Sequence, residues 1–467
     1  MALAWRKGPL AVRSFRLLAG GQFASTIGDY CYAVALPWLV LSTHGGTILL
    51  GTVLACYGVP RTVLIPLGGV LADKIGARSV MLVADAARCA LVAVLAVLAA
   101  DHVASLAALG PIAAFIGAGE GLFLPASYAI MPSLLDSERL AAGNAISTAA
   151  VQAGSLLGPA LGGALVAVTG SSTGAFGIDA GSFAVSALSL ALIPRRAASG
   201  SVAAVVDEAV EVVGETGEEQ AETGAAGSLG GTGGAGGTAG ADHADGTGGS
   251  AGGGVLALLR RSRALQVMLV IAVVANLASG GMGDVALPAL AHARFGAAGY
   301  GALLACLAAG GVVGTLGAAR TGGLRAPTMF AVPFFLLFAL AIGLVPYIGE
   351  GGAAAALLVA GACSGLGNVT LITVLQKWAP ATLLGRLMGV VMLCAFGSFP
   401  VSVAVSGILV RHLGPAVFFP IAGGLVAVTM LGGLTQRDFR VFGVRERSGD
   451  SADIAEKPGE RSGRTLG

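Results

Sequence analysis

Apolar runs of about 20 residues or more recur along the chain between short polar breaks, the pattern of helices that cross a bilayer. The runs predict spans near 17–41, 47–72, 79–100, 104–134, 140–168 and 176–194, and a second set near 264–291, 299–319, 328–347, 353–377, 387–411 and 415–435. The fourth run contains Pro111 and Pro125, so it is expected to kink or to reach beyond the hydrocarbon. Arg6, Lys7, Arg13 and Arg16 precede the first run as they would in a leader, but the length of that run suits a retained first helix. The expected fold is an all-α polytopic membrane protein, with twelve transmembrane helices in two six-helix bundles.

Between the sets the pattern stops. Residues 195–263 pass from the acidic stretch VVDEAVEVVGETGEEQAE into a glycine tract, a composition with too little apolar surface to offset the entropy of ordering. The organisation expected is therefore an N-terminal bundle over 1–194, a disordered cytoplasmic linker over 195–263, a C-terminal bundle over 264–436 and a charged cytoplasmic tail over 437–467.

Composition sharpens this reading. Of 467 residues, 55% are hydrophobic and 11% charged, against roughly 25% charged in a typical soluble domain. Nine of the 25 acidic residues lie between Asp207 and Asp245, and six between Asp438 and Glu460. Asp29, Asp85, Glu120, Asp179 and Asp284 stand inside the apolar runs. A soluble enzyme does not fit. If odd spans run outward, most basic residues fall on one side, including Lys74, Arg78, Arg139, Arg260, Arg320 and Lys377, whereas Arg294 and Arg411 fall on the other. The positive-inside rule then puts both termini in the cytoplasm.

The cysteines form no C-x-x-C pair, and the histidines at outer span ends show no ligand spacing, so neither disulfides nor a metal is expected. No P-loop string occurs, so ATP binding by this chain is not expected. No cofactor and no nucleic-acid partner are implied. The expected partners are a small-molecule substrate, protons and the lipid bilayer, with function as a monomer.

Three strings carry more specific information. GGVLADKIGARSVM joins the second and third spans, GSLLGPALGG lies in the fifth, and GTLGAARTGGLR follows the eighth. The first resembles the signature loop of the major facilitator superfamily, with Gly69, Leu71, Asp73, Lys74, Gly76 and Arg78 matching and Ala77 in place of a basic residue. The resemblance implies a loop that latches the cytoplasmic helix ends through charge-assisted hydrogen bonds from the Asp73 position. The third string is a degenerate copy with Ala319 where Asp73 stands, consistent with an internal repeat. In the second, Gly154, Gly158, Pro159, Gly162 and Gly163 match the family's antiporter signature, although Ala145 replaces a further expected glycine. A smooth glycine face suits close helix packing, and Pro159 removes a backbone donor.

Together with FRLLAGGQFASTIGDYCYAVALPWLV, LFLPASYAIMPSLL, LAAGNAISTAA and LLGRLMGVVM, these strings resemble the macrolide-efflux and siderophore-exporter-like branch of that family. The resemblance implies export of a small amphipathic compound by exchange, with alternating access. Uptake by a facilitator or symporter is the alternative. A sensor or membrane enzyme would need a catalytic cluster, and none is visible. Many proton-coupled exporters of the family carry an arginine in the fourth span; this chain has Glu120 there.

A charge at mid-bilayer costs roughly 2.5–3.5 kcal/mol on insertion scales, so ionisable residues there are functional candidates. At about 1.5 Å per residue, Asp29 lies roughly 18 Å from Leu17 and Arg61 roughly 15 Å from the inner end of its span, with Glu120 near the middle of the fourth. These three are the proton-coupling candidates, with Arg61 either switching a carboxyl group or serving as its static partner. Asp85 and Arg88, at i,i+3, read as a structural pair near the loop. Asp179 and Asp284 read as outer-gate packing. Asn276, Asn368, Thr373 and Gln376 are candidates for the cavity wall.

Overall fold

The computed structural model describes residues 8–194, 262–318, 327–378 and 381–436. Its helices are α1 (Arg13–Ser42), α2 (Gly46–Ile75), α3 (Ala77–Ala100), α4 (Leu106–Ala129), α5 (Ser137–Thr169) and α6 (Thr173–Ala191). They continue as α7 (Arg263–Arg294), α8 (Gly296–Ala318), α9 (Pro327–Leu344), α10 (Glu350–Trp378), α11 (Ala381–Leu413) and α12 (Pro415–Thr435). Eleven of these are long and apolar enough to cross a bilayer among the described residues, and α9 ends in a 3₁₀ turn, Val345–Tyr347. The expected linker lies outside the described residues except for Ser262 and Arg263, which cap and begin α7, and the expected tail lies outside them too, as do Ala319, Arg320 and Gly322 of the second loop.

The fourth apolar run does not stay helical throughout. It ends at Ala129, and a separate turn of helix covers Met131–Leu134, with Pro132 at its start. The seventh carries a π turn, Met282–Ala286, that hydropathy alone does not reveal. It puts Asp284 on widened backbone, a local irregularity frequent at functional sites.

The helix pairing repeats between the halves. In the first, α1 packs on α5 and α6, α2 on α4, and α3 on α4 and α6; in the second, α7 packs on α11 and α12, α8 on α10, and α9 on α10 and α12. Small residues make the closest pairs possible. A Cβ on Gly117 or Gly121 of α4 would collide with the carbonyl oxygens of Tyr57 or Arg61 on α2. A Cβ on Gly310 or Gly314 of α8 would collide with those of Leu358 or Ala362 on α10.

The end of the bundle that carries Arg13, Gly76 and Ser137 is termed the near end, and the opposite end, with His44 and Gly46, the far end. The halves meet chiefly toward the far end, where α2 lies on α11 and α5 on α8. Thr47 donates to the Gly407 carbonyl at 2.9 Å, Thr62 to that of Phe396 at 3.2 Å and Tyr300 to that of Ala33 at 3.4 Å. The ring of Trp38 of α1 packs at a tilt against that of His292 of α7, with centroids 4.9 Å apart. All six cysteines are free.

Candidate functional site

A cavity of about 590 Å³ lies largely within the first half and reaches residues near the near end, including Tyr128, Met131 and Asn144. Asp284 of α7 and Phe399 of α11 complete its wall from the second half. Asp29, Arg61 and Glu120 all line it, but they do not form one cluster.

Arg61 and Glu120 meet. The close approach of α2 and α4 across Gly117 and Gly121 sets them opposite each other, with Arg61 Nη2 3.0 Å from Glu120 Oε1. Tyr57, one turn from Arg61, donates its hydroxyl to Glu120 Oε2. The guanidinium also lies 5.0 Å from the Phe396 ring centroid and 5.8 Å from that of Tyr57, within cation–π range. Arg61 is thus neutralised and held.

Asp29 instead faces α3. Its Oδ1 is 4.0 Å from Arg88 Nη1, and its side chain is 48% exposed to the cavity. Arg88 is a residue the sequence reading misplaced. It stands midway along α3, buried, with its guanidinium 4.7 Å from the Phe123 ring and 4.3 Å from the Phe183 ring. Its partner Asp85, fully buried at 2.5 Å, accepts a 2.6 Å bond from Ser186 of α6. The Asp85–Arg88 pair therefore anchors the cavity wall rather than the loop, because its side of α3 faces α6 and α1. The signal available was depth: an arginine this far inside a span is costly unless it is used.

Asp179 and Asp284 are corrected in the same sense, since both line the cavity. Asp179 is 1% exposed, packs where Gly28 leaves room, and its Oδ1 has no hydrogen-bond partner. Asp284 makes no hydrogen bond or ion pair among the described residues. Asn144, Ser147, Thr148 and Gln152 of α5 add a neutral polar stripe that sequence reading did not single out, although their i, i+3, i+4, i+8 spacing marks one helix face. Asn276 and Asn368 are exposed and are not among the cavity-lining residues; Asn276 donates to the Ala272 carbonyl of its own helix. The side chain of Gln376 lies outside the described residues.

At the near end, Gly76 adopts φ +86°, turning α2 into α3 where a side chain would be strained. Arg78 donates to the Leu190 and Ala191 carbonyls at 2.8 and 2.9 Å, satisfying the C-terminus of α6. Gly69 is partly buried, while Asp73 and Lys74 are exposed and without hydrogen bonds or ion pairs among the described residues. In α5, Gly154, Gly158 and Gly162 seat α1 at Thr26, Tyr30 and Cys31. Gly163 and the Pro159 carbonyl instead meet Gly301 of α8. One motif thus serves two interfaces.

Two similarly paired sets of six helices, with a cavity lined by ionisable groups, define a two-bundle polytopic membrane protein. The chain belongs to the Major Facilitator Superfamily, whose model matches residues 18–402. It is 30% identical over 218 residues to the multidrug efflux pump Tap of Mycolicibacterium fortuitum, covering 44% of this chain and 50% of Tap. It is 28% identical over 181 residues to YfiS of Bacillus subtilis strain 168, an uncharacterised transporter of the same family type, covering 38% of this chain and 42% of YfiS. The chain thus spans about half the length of the curated relatives it matches. Similar solved structures include a POT family transporter with a bound thioalcohol-conjugated peptide (TM-score 0.64, 16% identity, 91% of this chain and 96% of that one). The nucleoside transporter NupG gives TM-score 0.64 at 13% identity, over 90% of this chain and 99% of that one. A D-xylose–proton symporter gives 0.60 at 14%, over 90% and 95%.

Proposed function

We propose that the protein exports a small amphipathic compound across the cytoplasmic membrane in exchange for protons, with both termini cytoplasmic. The observation that carries this reading is the cavity, which joins ionisable groups to aromatic walls and reaches the near end. The asymmetry of basic residues supports assigning that end to the cytoplasmic side. Partial similarity to a multidrug efflux pump and the antiporter-type glycine motif of α5 support export, and the resemblance to the macrolide-efflux and siderophore-exporter branch supports an amphipathic cargo. Protons enter the cycle through Asp29 and Glu120. Each stands beside a guanidinium on another helix, Arg88 for Asp29 and Arg61 for Glu120, so helix movements change how closely each carboxyl group is paired. Asp73 and its loop are assigned the latch of the near end when that end is closed, which accounts for the unbonded Asp73 in the present conformation.

The test is accumulation of candidate compounds in cells expressing the protein, with and without an uncoupler. Lower accumulation that rises to the control level on uncoupling is expected. Higher accumulation in expressing cells means uptake and overturns the export reading.

A further inference from the structure

The carboxyl groups that line the cavity outnumber its guanidiniums. Arg61 is taken by Glu120, and Arg88 by Asp85, which sits behind it. Among the described residues that line the cavity, this leaves Asp29, Asp179 and Asp284, with no further lysine or arginine to offset them. Asp29 only shares Arg88, at 4.0 Å. Asp284 stands across the cavity in the other half, with Arg61 as its charged neighbour, and that guanidinium is already paired. Asp179 adds an independent observation, since this buried residue lines the cavity and its Oδ1, set against Gly28, has no hydrogen-bond partner. The surrounding rings include Tyr30, Tyr32, Tyr57, Phe123, Phe183 and Phe399. Acidic groups in excess beside aromatic faces are the environment that recognises a cation attached to an apolar body.

We propose that this cavity selects organic cations, with Asp29 and Asp284 as the anionic contacts supplied by the two halves. The inference rests on the reading of the chain as a carrier of amphipathic compounds and adds the sign of the cargo's charge. Within this assignment Arg61 and Arg88 are wall components held by their own acids. The free carboxyl groups face the bound molecule, and the polar stripe of α5 offers it hydrogen bonds.

The experiment uses two ions of nearly equal size and shape and opposite charge, tetraphenylphosphonium and tetraphenylborate, titrated onto the purified full chain in neutral detergent. The phosphonium is expected to bind at least about tenfold more tightly, a difference of about 1.4 kcal/mol. Asp29→Asn and Asp284→Asn are each expected to reduce that preference several-fold. Asp29→Glu, which keeps the charge, retains it, as does Asp101→Asn at an exposed far-end turn. Retention in Asp29→Glu also shows that the site tolerates substitution. Tighter or equal binding of the borate overturns the proposal, as does absence of binding by both ions. A preference unchanged in either asparagine variant overturns the two-carboxylate contact. Binding is read without transport, so a bound phosphonium that the cells do not export refutes the export reading alone.

Discussion

Replacing Arg88 with methionine tests the cavity wall directly. The guanidinium and Asp85 are 2.5 Å apart, with side chains 3% and 0% exposed, so little water is available to replace either partner. Removing one member of such a pair costs about 3–5 kcal/mol, because the remaining charge stays buried and unpaired. Ser186 still donates to Asp85, which puts the expected loss near the lower end, about 3 kcal/mol. Asp29 adds little, since it is half exposed and 4.0 Å away, a geometry worth about 0–1 kcal/mol. The assay is denaturant unfolding of the purified protein in detergent, run as a double-mutant cycle with Asp85→Asn. Arg88→Met alone should lose about 3 kcal/mol, and Arg88→Met with Asp85→Asn should return to within about 1 kcal/mol of the wild type. Transport then separates two roles. A purely structural pair predicts that the double variant recovers both stability and transport, whereas a wall facing the cargo predicts recovery of stability alone. A single variant as stable as the wild type, or a double variant as unstable as Arg88→Met, refutes the reasoning.

Three other outcomes are expected. Asp29→Asn and Glu120→Gln should each leave expression intact, and at least one should abolish uphill export while sparing downhill exchange; unchanged uphill export in both assigns the proton elsewhere. Asp73→Asn should insert normally and transport poorly, because it removes the latch charge but no apolar span; normal transport at normal expression argues against the latch. Arg78→Ala should destabilise the protein by about 2 kcal/mol, read by the same unfolding assay, because it frees two carbonyls at the C-terminus of α6. Arg78→Lys should recover only part of that loss, since a lysine does not reproduce the two-point fork.

The helices were legible because hydropathy measures the property that sorts them. The twelfth run matches its helix at both ends, Pro415 and Thr435. The eleventh begins six residues earlier than its apolar run, at Ala381, because helix continues through Thr382, Gly385 and Arg386 after the hydrophobic signal stops. Depth was also legible, since a fixed rise per residue puts Asp29, Arg61 and Glu120 at comparable levels. Rotation was not. Which carboxyl group meets which arginine depends on how α2 and α4 turn toward each other across Gly117 and Gly121, a tertiary fact with no local signature. The Asp85–Arg88 spacing showed the opposite failure. A local i,i+3 pairing is correct in the structure, yet it concealed the contacts with Asp29, Ser186 and two phenylalanines that give the pair its place in the cavity.

The α5 motif links that cavity to the seam between the halves. Its glycines at 154, 158 and 162 hold α1 so closely that a Cβ at any of them would fall within 3 Å of Thr26, Tyr30 or Cys31. Asp29 therefore moves with α5 as one body. The opposite contact, Gly163 and Pro159 against Gly301, joins two helices from different halves, and only three side-chain hydrogen bonds cross the seam among the described residues. At about 1 kcal/mol each, those bonds contribute about 3 kcal/mol to holding the far ends together, beside the Trp38–His292 and Arg61–Phe396 contacts and the packing of α2 on α11 and α5 on α8. Asp284 belongs to the other body, through α7. A cargo held between Asp29 and Asp284 thus senses the relative position of the halves through both ends at once, which neither carboxyl group alone would provide.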